Sequence, residues 1–199
     1  MNRATNNKLL SKIAIDDAAK LMGVPRDTLL AVAHVESGGR GFFADGQPKI
    51  LFEAHVFSRL TGGRYDAEHR NLSSPTWNRA LYIGGPKEHI RLAEAVKLDR
   101  DAALSSASWG MFQIMGFNWK RCRFASLQDF INAMYESEDA QFMAFCNYIA
   151  TVGLLDELQR GDLTAFALQY NGPRQAENGY DIKLHAALAS SAKLYEALA

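Results

Sequence analysis

The sequence predicts a mainly α, single-domain fold with a small β-hairpin, and three observations carry that expectation. Apolar residues recur at helical spacing through most of the chain. One stretch breaks into strand-like alternation beside an Asp-Gly pair. No repeat, low-complexity tract or Pro/Ser-rich linker divides the 199 residues, 48% of them hydrophobic, which suffice for one well-buried core. We therefore expect a single domain over residues 1–199, with a core spanning roughly 14–190.

The elements follow in order. Asp16 and Asp17 open a helix that Gly23 closes, and Pro25 begins the next where its missing N–H is harmless. That second helix carries Leu29, Val32, Ala33 and Glu36 on one face and stops at Gly38-Gly39, a candidate left-handed cap. FFADGQPKILFEA reads as a β-hairpin turning at Asp45-Gly46, with Ile50, Phe52 and Ala54 alternating against Leu51 and Glu53. Residues 62–86, rich in Gly, Ser, Asn, Arg and aromatics, read as a long loop of functional rather than idle character. PKEHIRLAEAVKLDRDAAL reads as one helix with Ile90, Ala93, Val96 and Ala103 towards the core. Ser126 and Ser137 begin two more, the second carrying Phe142, Phe145, Cys146 and Ile149, and Asp162 caps LTAFALQY. A last helix starts near Asp181.

Composition narrows the function. Lys plus Arg and Asp plus Glu each number 22, so the formal charge is zero, without the basic excess of a nucleic-acid binder. The five histidines lack metal-ligand spacing, and we expect neither metal nor cofactor. MNRATNNKLLSK holds no apolar run suited to a signal peptide, and no segment is long enough to cross a bilayer. We expect synthesis in the cytoplasm without a leader, no stable membrane insertion, and a monomer. DIKLHAALASSAKLYEALA is too weakly basic for a membrane-disrupting helix. Cys122 and Cys146, in apolar surroundings, read as buried free thiols.

Three segments carry chemistry. Glu36 ends the apolar stripe of its helix, where burial and the negative helix end both disfavour its ionised form. An upward-shifted carboxyl suits a general acid; the bland alternative is an interface Glu reaching to water. In SASWGMFQIMGF, Gly110 suggests a tight backbone passage, Gln113 offers an amide to sugar hydroxyls and N-acetyl groups, and Trp109 a face for stacking. The alternative is a buried helix start whose aromatics only pack. In AFALQYNGP, Tyr170 ends an apolar face and Asn171-Gly172 terminates the helix.

The order of E-S-G, S-W-G-M-F-Q-I and A-x-x-Y-N-G resembles the lysozyme and lytic transglycosylase superfamily. The nearer resemblance is to the N-acetylmuramidase domain of phage and prophage endolysins. It rests on VESGGRGF, DGQPKILFEAHVF, the helix ending in LDRDAAL, SASWGMFQIMGFN, and FALQYNGP followed by Tyr180. The resemblance implies a lysozyme-like domain of helices around a cleft. It implies cleavage of the β-1,4 bond between N-acetylmuramic acid and N-acetylglucosamine in peptidoglycan, with Glu36 protonating the glycosidic oxygen. Ser37, Ser108, Trp109, Gln113, Tyr170 and Asn171 would bind substrate or position the acid. The chain leaves no room for a separate cell-wall-binding domain. A holin is the implied route to the peptidoglycan layer.

A glycosidase usually works with two carboxyl groups. Hen-type lysozymes place an aspartate at the position of Ser108, so the second group must lie elsewhere or be dispensed with. Asp45 lies nine residues after Glu36, an interval shared with phage T4-type lysozymes, although Asp before Gly is also ordinary turn chemistry. Glu53, with His55 on the same strand face, is the preferred candidate for activating water or stabilising an oxocarbenium ion. If neither acts, a lytic transglycosylase forming 1,6-anhydro-muramyl ends is the alternative; a non-catalytic wall-binding module is the second. Arg59, Arg64, His69, Arg70 and Arg79 near the long loop are candidates for meeting the carboxylates of peptide stems.

Overall fold

Short polar side chains cap five of the eleven described α-helices. In the computed structural model, which describes residues 8–173 and 179–198, Ser11 Oγ accepts from Ala14 N to open α1 (Lys12–Met22), and Gly23 closes it at φ 63°. Pro25 precedes α2 (Arg26–Glu36). Strand β1 (Ile50–Phe52) leads directly into α3 (Ala54–Leu60). An irregular strap, residues 61–87, contains two single 3-10 turns, Arg79–Leu81 and Gly85–Lys87. Then come α4 (Glu88–Leu98), α5 (Arg100–Ser105), β2 (Ala107–Trp109) and β3 (Ile114–Met115). The remaining helices are α6 (Leu127–Glu136), α7 (Glu138–Thr151), α8 (Leu155–Arg160), α9 (Leu163–Asn171), α10 (Tyr180–Ala189) and α11 (Ser191–Glu196). Ser126, Ser137 and Asp162 cap α6, α7 and α9 as their positions predict, each accepting from a backbone N–H three residues on.

The core surrounds α7, whose Phe142, Ala144, Phe145, Cys146 and Ile149 are all buried. Helix α7 packs on α1 and α6, while α2 packs on α1, α10 and α11. Phe112, from the turn between β2 and β3, stacks on Phe145 with centroids 4.1 Å apart and planes within 7°. Both cysteines are buried and unpaired, and burial pushes their thiols upward.

Several expectations change. β1 pairs antiparallel with β2, from Ile50↔Trp109 to Phe52↔Ala107, and β2 with β3, making a three-stranded sheet in the order β1-β2-β3. The expected hairpin around Asp45-Gly46 is reduced to one bridge, Phe42↔Pro48, above a tight turn. The true hairpin lies in SASWGMFQIM, where neither alternation nor a two-residue turn advertises it. Ala54 and His55 belong to α3 rather than to the strand. Helix α1 begins four residues ahead of Asp16, at Lys12. The residue after α2, Ser37, is extended, so the helix ends without a left-handed cap. PKEHIRLAEAVKLDRDAAL breaks at Asp99, whose carboxylate accepts from Ala102 N to start α5. Ile90 is exposed; Glu88, Arg91, Leu92 and Ala95 face inward instead. Residues 1–7, part of the amino-terminal reading, lie outside those described.

The inward charges have a reason. Glu88 pairs with Arg91 at 2.8 Å and accepts from Phe52 N, Ile83 N and Gly84 N. Arg91 also donates to Phe52 O and Asn71 O. An irregular strap leaves backbone groups unpaired, and buried ones must find partners. A second such centre opens α7. Glu138 accepts from Leu10 N and Gly41 N, and Gln141 accepts from Met111 N while donating to Met134 O. A Cβ on Gly41 or Gly110 would strike the Gln141 amide and push it from its bonds, and Gly110 is also held at φ 71°.

Replacing Gln141 by Leu strands Met111 N and Met134 O in the core, and the expected loss is about 2 to 4 kcal/mol of stability. Urea unfolding of the two proteins checks this, and an unchanged midpoint contradicts it.

Candidate functional site

The apolar stripe of α2 delivers Glu36 to the edge of the core. Leu29, Val32 and Ala33 are buried, and Glu36, the last residue of the helix, is half-buried. Burial raises its carboxyl above the ordinary value of 4.5, and a bond from Asn171 Nδ2 to Oε1, at 3.1 Å, partly opposes that rise. Asn171 ends α9, so the two helix ends meet head to head at this bond. One residue earlier, Tyr170 stacks on Phe166 and sets its edge on Phe145, with centroids at 5.4 and 6.0 Å. Its phenol is pushed well above the ordinary range by burial and then by the Glu36 charge.

The β2–β3 turn is tied to the same place. Gly38 N, two residues beyond Glu36, donates to Met111 O at 2.7 Å. Two residues past Met111 lies Gln113, a non-glycine residue at φ 48°. Its own amide compensates the strained backbone: Oε1 accepts from Ser108 Oγ at 2.8 Å, and Nε2 donates to Gly110 O at 2.8 Å and more distantly to Lys49 O. Gln113 and Tyr170 both line a cavity of about 450 Å³, also lined by Met115, Asn118, Tyr148 and Gln169. Pairing of Leu51 with Ser108 and of Ser108 with Met115 places all three on one sheet face, of which Met115 lines this cavity.

Other sequence-chosen residues fall differently. Trp109 is 1% exposed, with Nε1 donating to Leu104 O, so no face remains for a sugar. Its place as an inward residue follows from the strand: Trp109 alternates with Ser108 and points to the core. Ser108 is itself buried, and its hydroxyl is engaged by Gln113. Ser37 Oγ donates back to His34 O. Asp45 sits on an exposed turn, and its two oxygens accept from Gln47 N and Nε2, which hold its carboxyl below the ordinary range. Arg59, Arg64, Arg70 and Arg79 are exposed; Arg59 lies over Phe117, and His69 meets Tyr65 edge-on.

Glu53 has the surroundings that Asp45 lacks. Continuing the pleat of β1 in extended conformation, it falls on the same face as Leu51 and Ser108. Its Oε2 accepts from Tyr82 Oη at 2.6 Å and lies 3.3 Å from His55 Nδ1. The two meet through the turn from strand to helix rather than along a strand. Burial and the Glu53 carboxylate together push the Tyr82 phenol up to about 12. Tyr82 was not distinguishable in the sequence from the other aromatics of the strap; only the fold brings it to Glu53. Among the described residues, no group of three His, Cys, Asp or Glu is arranged to hold a metal, and no helix is long and apolar enough to cross a membrane.

Comparison with known proteins bears directly on this arrangement. A family model described as N-acetylmuramidase matches residues 25–192, from the start of α2 into α11. The crystal structure of an endolysin from Burkholderia AP3 phage is similar, with a TM-score of 0.87 and 35% identity, over 94% of this chain and 73% of that one. No curated protein matches the sequence. The match includes Glu36 at the end of α2 and Asn171, bonded to it, at the end of α9, and the chain belongs to the N-acetylmuramidase family, as a lysozyme-type glycoside hydrolase of peptidoglycan.

Proposed function

We propose that the protein is a phage or prophage endolysin. It cleaves the β-1,4 bond between N-acetylmuramic acid and N-acetylglucosamine, with Glu36 as the general acid. The observation that supports this most directly is the placement of Glu36, a carboxyl raised by burial at the end of an apolar stripe and oriented by Asn171. Peptidoglycan is the partner; the chain acts on it as a monomer, with a holin providing access to the wall. A single catalytic domain carries the activity.

In the reaction, protonated Glu36 donates to the glycosidic oxygen as the bond to C1 of N-acetylmuramic acid breaks, and the 4-hydroxyl of N-acetylglucosamine leaves. Positive charge develops at C1 and its ring oxygen. Glu53, held by donation from Tyr82, is the carboxylate we assign to meet that charge or to take a proton from the attacking water. Asp45, exposed and bound to its own turn, is set aside for this role. Gln113 retains only part of the capacity of its side-chain oxygen for a sugar, so its main service is to shape the turn beside Glu36. Tyr170 stays a neutral phenol at the cavity wall, while Asn171 and Ser37 set the acid and the chain leaving it.

The first test is mass spectrometry of digested peptidoglycan. Reducing N-acetylmuramic acid ends are expected, with turnover lost by roughly 100-fold to 10,000-fold in Glu36→Gln. Anhydro-muramyl ends would instead indicate a transglycosylase, which needs no carboxylate at Glu53. A pH profile makes a second test, since activity must fall as Glu36 ionises. Asn171→Ala removes a bond that favours the anion, so the basic limb should move to higher pH; a limb moving lower contradicts the assignment.

Linkage supplies a third. A carboxyl whose folded pKa is raised binds more protons folded than unfolded, so it costs stability as pH rises from 4.5 through the raised value. Glu36→Gln should therefore melt higher than the parent at neutral pH, with the difference vanishing below 4.5. Calorimetry across that range checks it, and a variant less stable at neutral pH would rule it out.

A further inference from the structure

The strap anchors through Leu72 and Tyr65 near its start, and its later part is attached by an elaborate set of hydrogen bonds. Ser74 N donates to Ala54 O, and Ser74 Oγ to Thr76 O. Asn78 Oδ1 accepts from Ala80 N, and buried Glu88 accepts from both Ile83 N and Gly84 N. Burying a charged pair to hold a segment is costly unless the segment's own geometry matters. What these bonds fix in place is an outward-facing Trp77, 59% exposed. Trp109 is wholly inside and Trp119 half-buried, so Trp77 differs from both in offering its ring to solvent.

The ring is also joined to the site. Trp77 lies against Tyr82 with centroids 6.4 Å apart and planes tilted by 57°, and Tyr82 donates to Glu53. An indole held in the open, two contacts from the Glu53 carboxylate and flanked by Thr76 and Asn78, suits a particular ligand. A β-linked N-acetylhexosamine presents axial C–H groups on one ring face, which stack on an aromatic plane, while its hydroxyls and acetamide meet small polar side chains.

We propose that Trp77 is a glycan-binding residue: it stacks on an N-acetylhexosamine ring of the strand at a position beyond the one cleaved, with Tyr82 linking that position to Glu53. This rests on the reading of the cleft given above and adds a second hold on the same strand. The strap is then one wall of the binding surface, rigid before substrate arrives, which spares the entropy of ordering it on binding.

The test uses the full chain carrying Glu36→Gln, so that bound glycan is not consumed, titrated with the β-1,4-linked hexamer of N-acetylglucosamine. Tryptophan fluorescence should change on binding. Adding Trp77→Ala should abolish most of that change and weaken affinity, read by calorimetry, about five- to tenfold. Trp77→Phe, which keeps a ring, should lose less. In the active protein, Trp77→Ala should raise KM for soluble glycan strands more than it lowers kcat. Affinity unchanged in Trp77→Ala, or no binding of the hexamer by the Glu36→Gln parent, overturns the proposal. Wall hydrolysis surviving in Glu36→Gln would refute the acid instead, and the affinity comparison would still decide for or against Trp77.

Discussion

The first turn of α7 holds the cleft together. Glu138 and Gln141, one helical turn apart and both buried, satisfy backbone groups from segments that have no regular partner of their own. Through Gly41 they fix the chain that leaves α2; through Met111 they fix the turn between β2 and β3. Gly38 N then donates to Met111 O, closing the circuit. Glu36 and Gln113 are thus located by the same small polar centre, and neither can shift without disturbing the other. Such a centre is worth having only when fully satisfied, because any member left unpaired in the core would cost more than the bond contributed.

Glu88 and Arg91 do for the strap what α7 does for the turn. In both places a helix supplies inward-pointing polar side chains, and the recipients are irregular segments. The acid at Glu36 is therefore surrounded by backbone whose conformation no local propensity would choose. That includes Gln113 in the left-handed region, where its own amide repays part of the strain.

This division explains which parts of the molecule were legible in advance. Local rules located the caps at Ser126, Ser137 and Asp162, the stop at Gly23, and the core stripe ending at Glu36, because each depends on neighbours within a turn of helix. The strands were misplaced because they are two or three residues long, and β1 finds its partner more than fifty residues on. For Trp109 the packing alternative holds over sugar stacking, and local sequence leaves the two open because pairing, which sets the pleat, is invisible without β1. Hydrophobicity ranks Ile90 above Glu88 and Arg91 and so points it inward; a strap needing carboxylate and guanidinium partners reverses that order. Tyr82 carries no local signal at all, since its meaning lies in meeting Glu53.

The two buried thiols bear on where such a molecule can work. Neither cysteine is bonded to the other, and burial keeps both protonated and away from solvent. The fold thus carries no covalent cross-link between the described cysteines for a reducing environment to open, and no accessible thiolate for an oxidising one to capture. The same packed state is available on either side of a redox boundary, with no oxidation of these thiols needed to reach it.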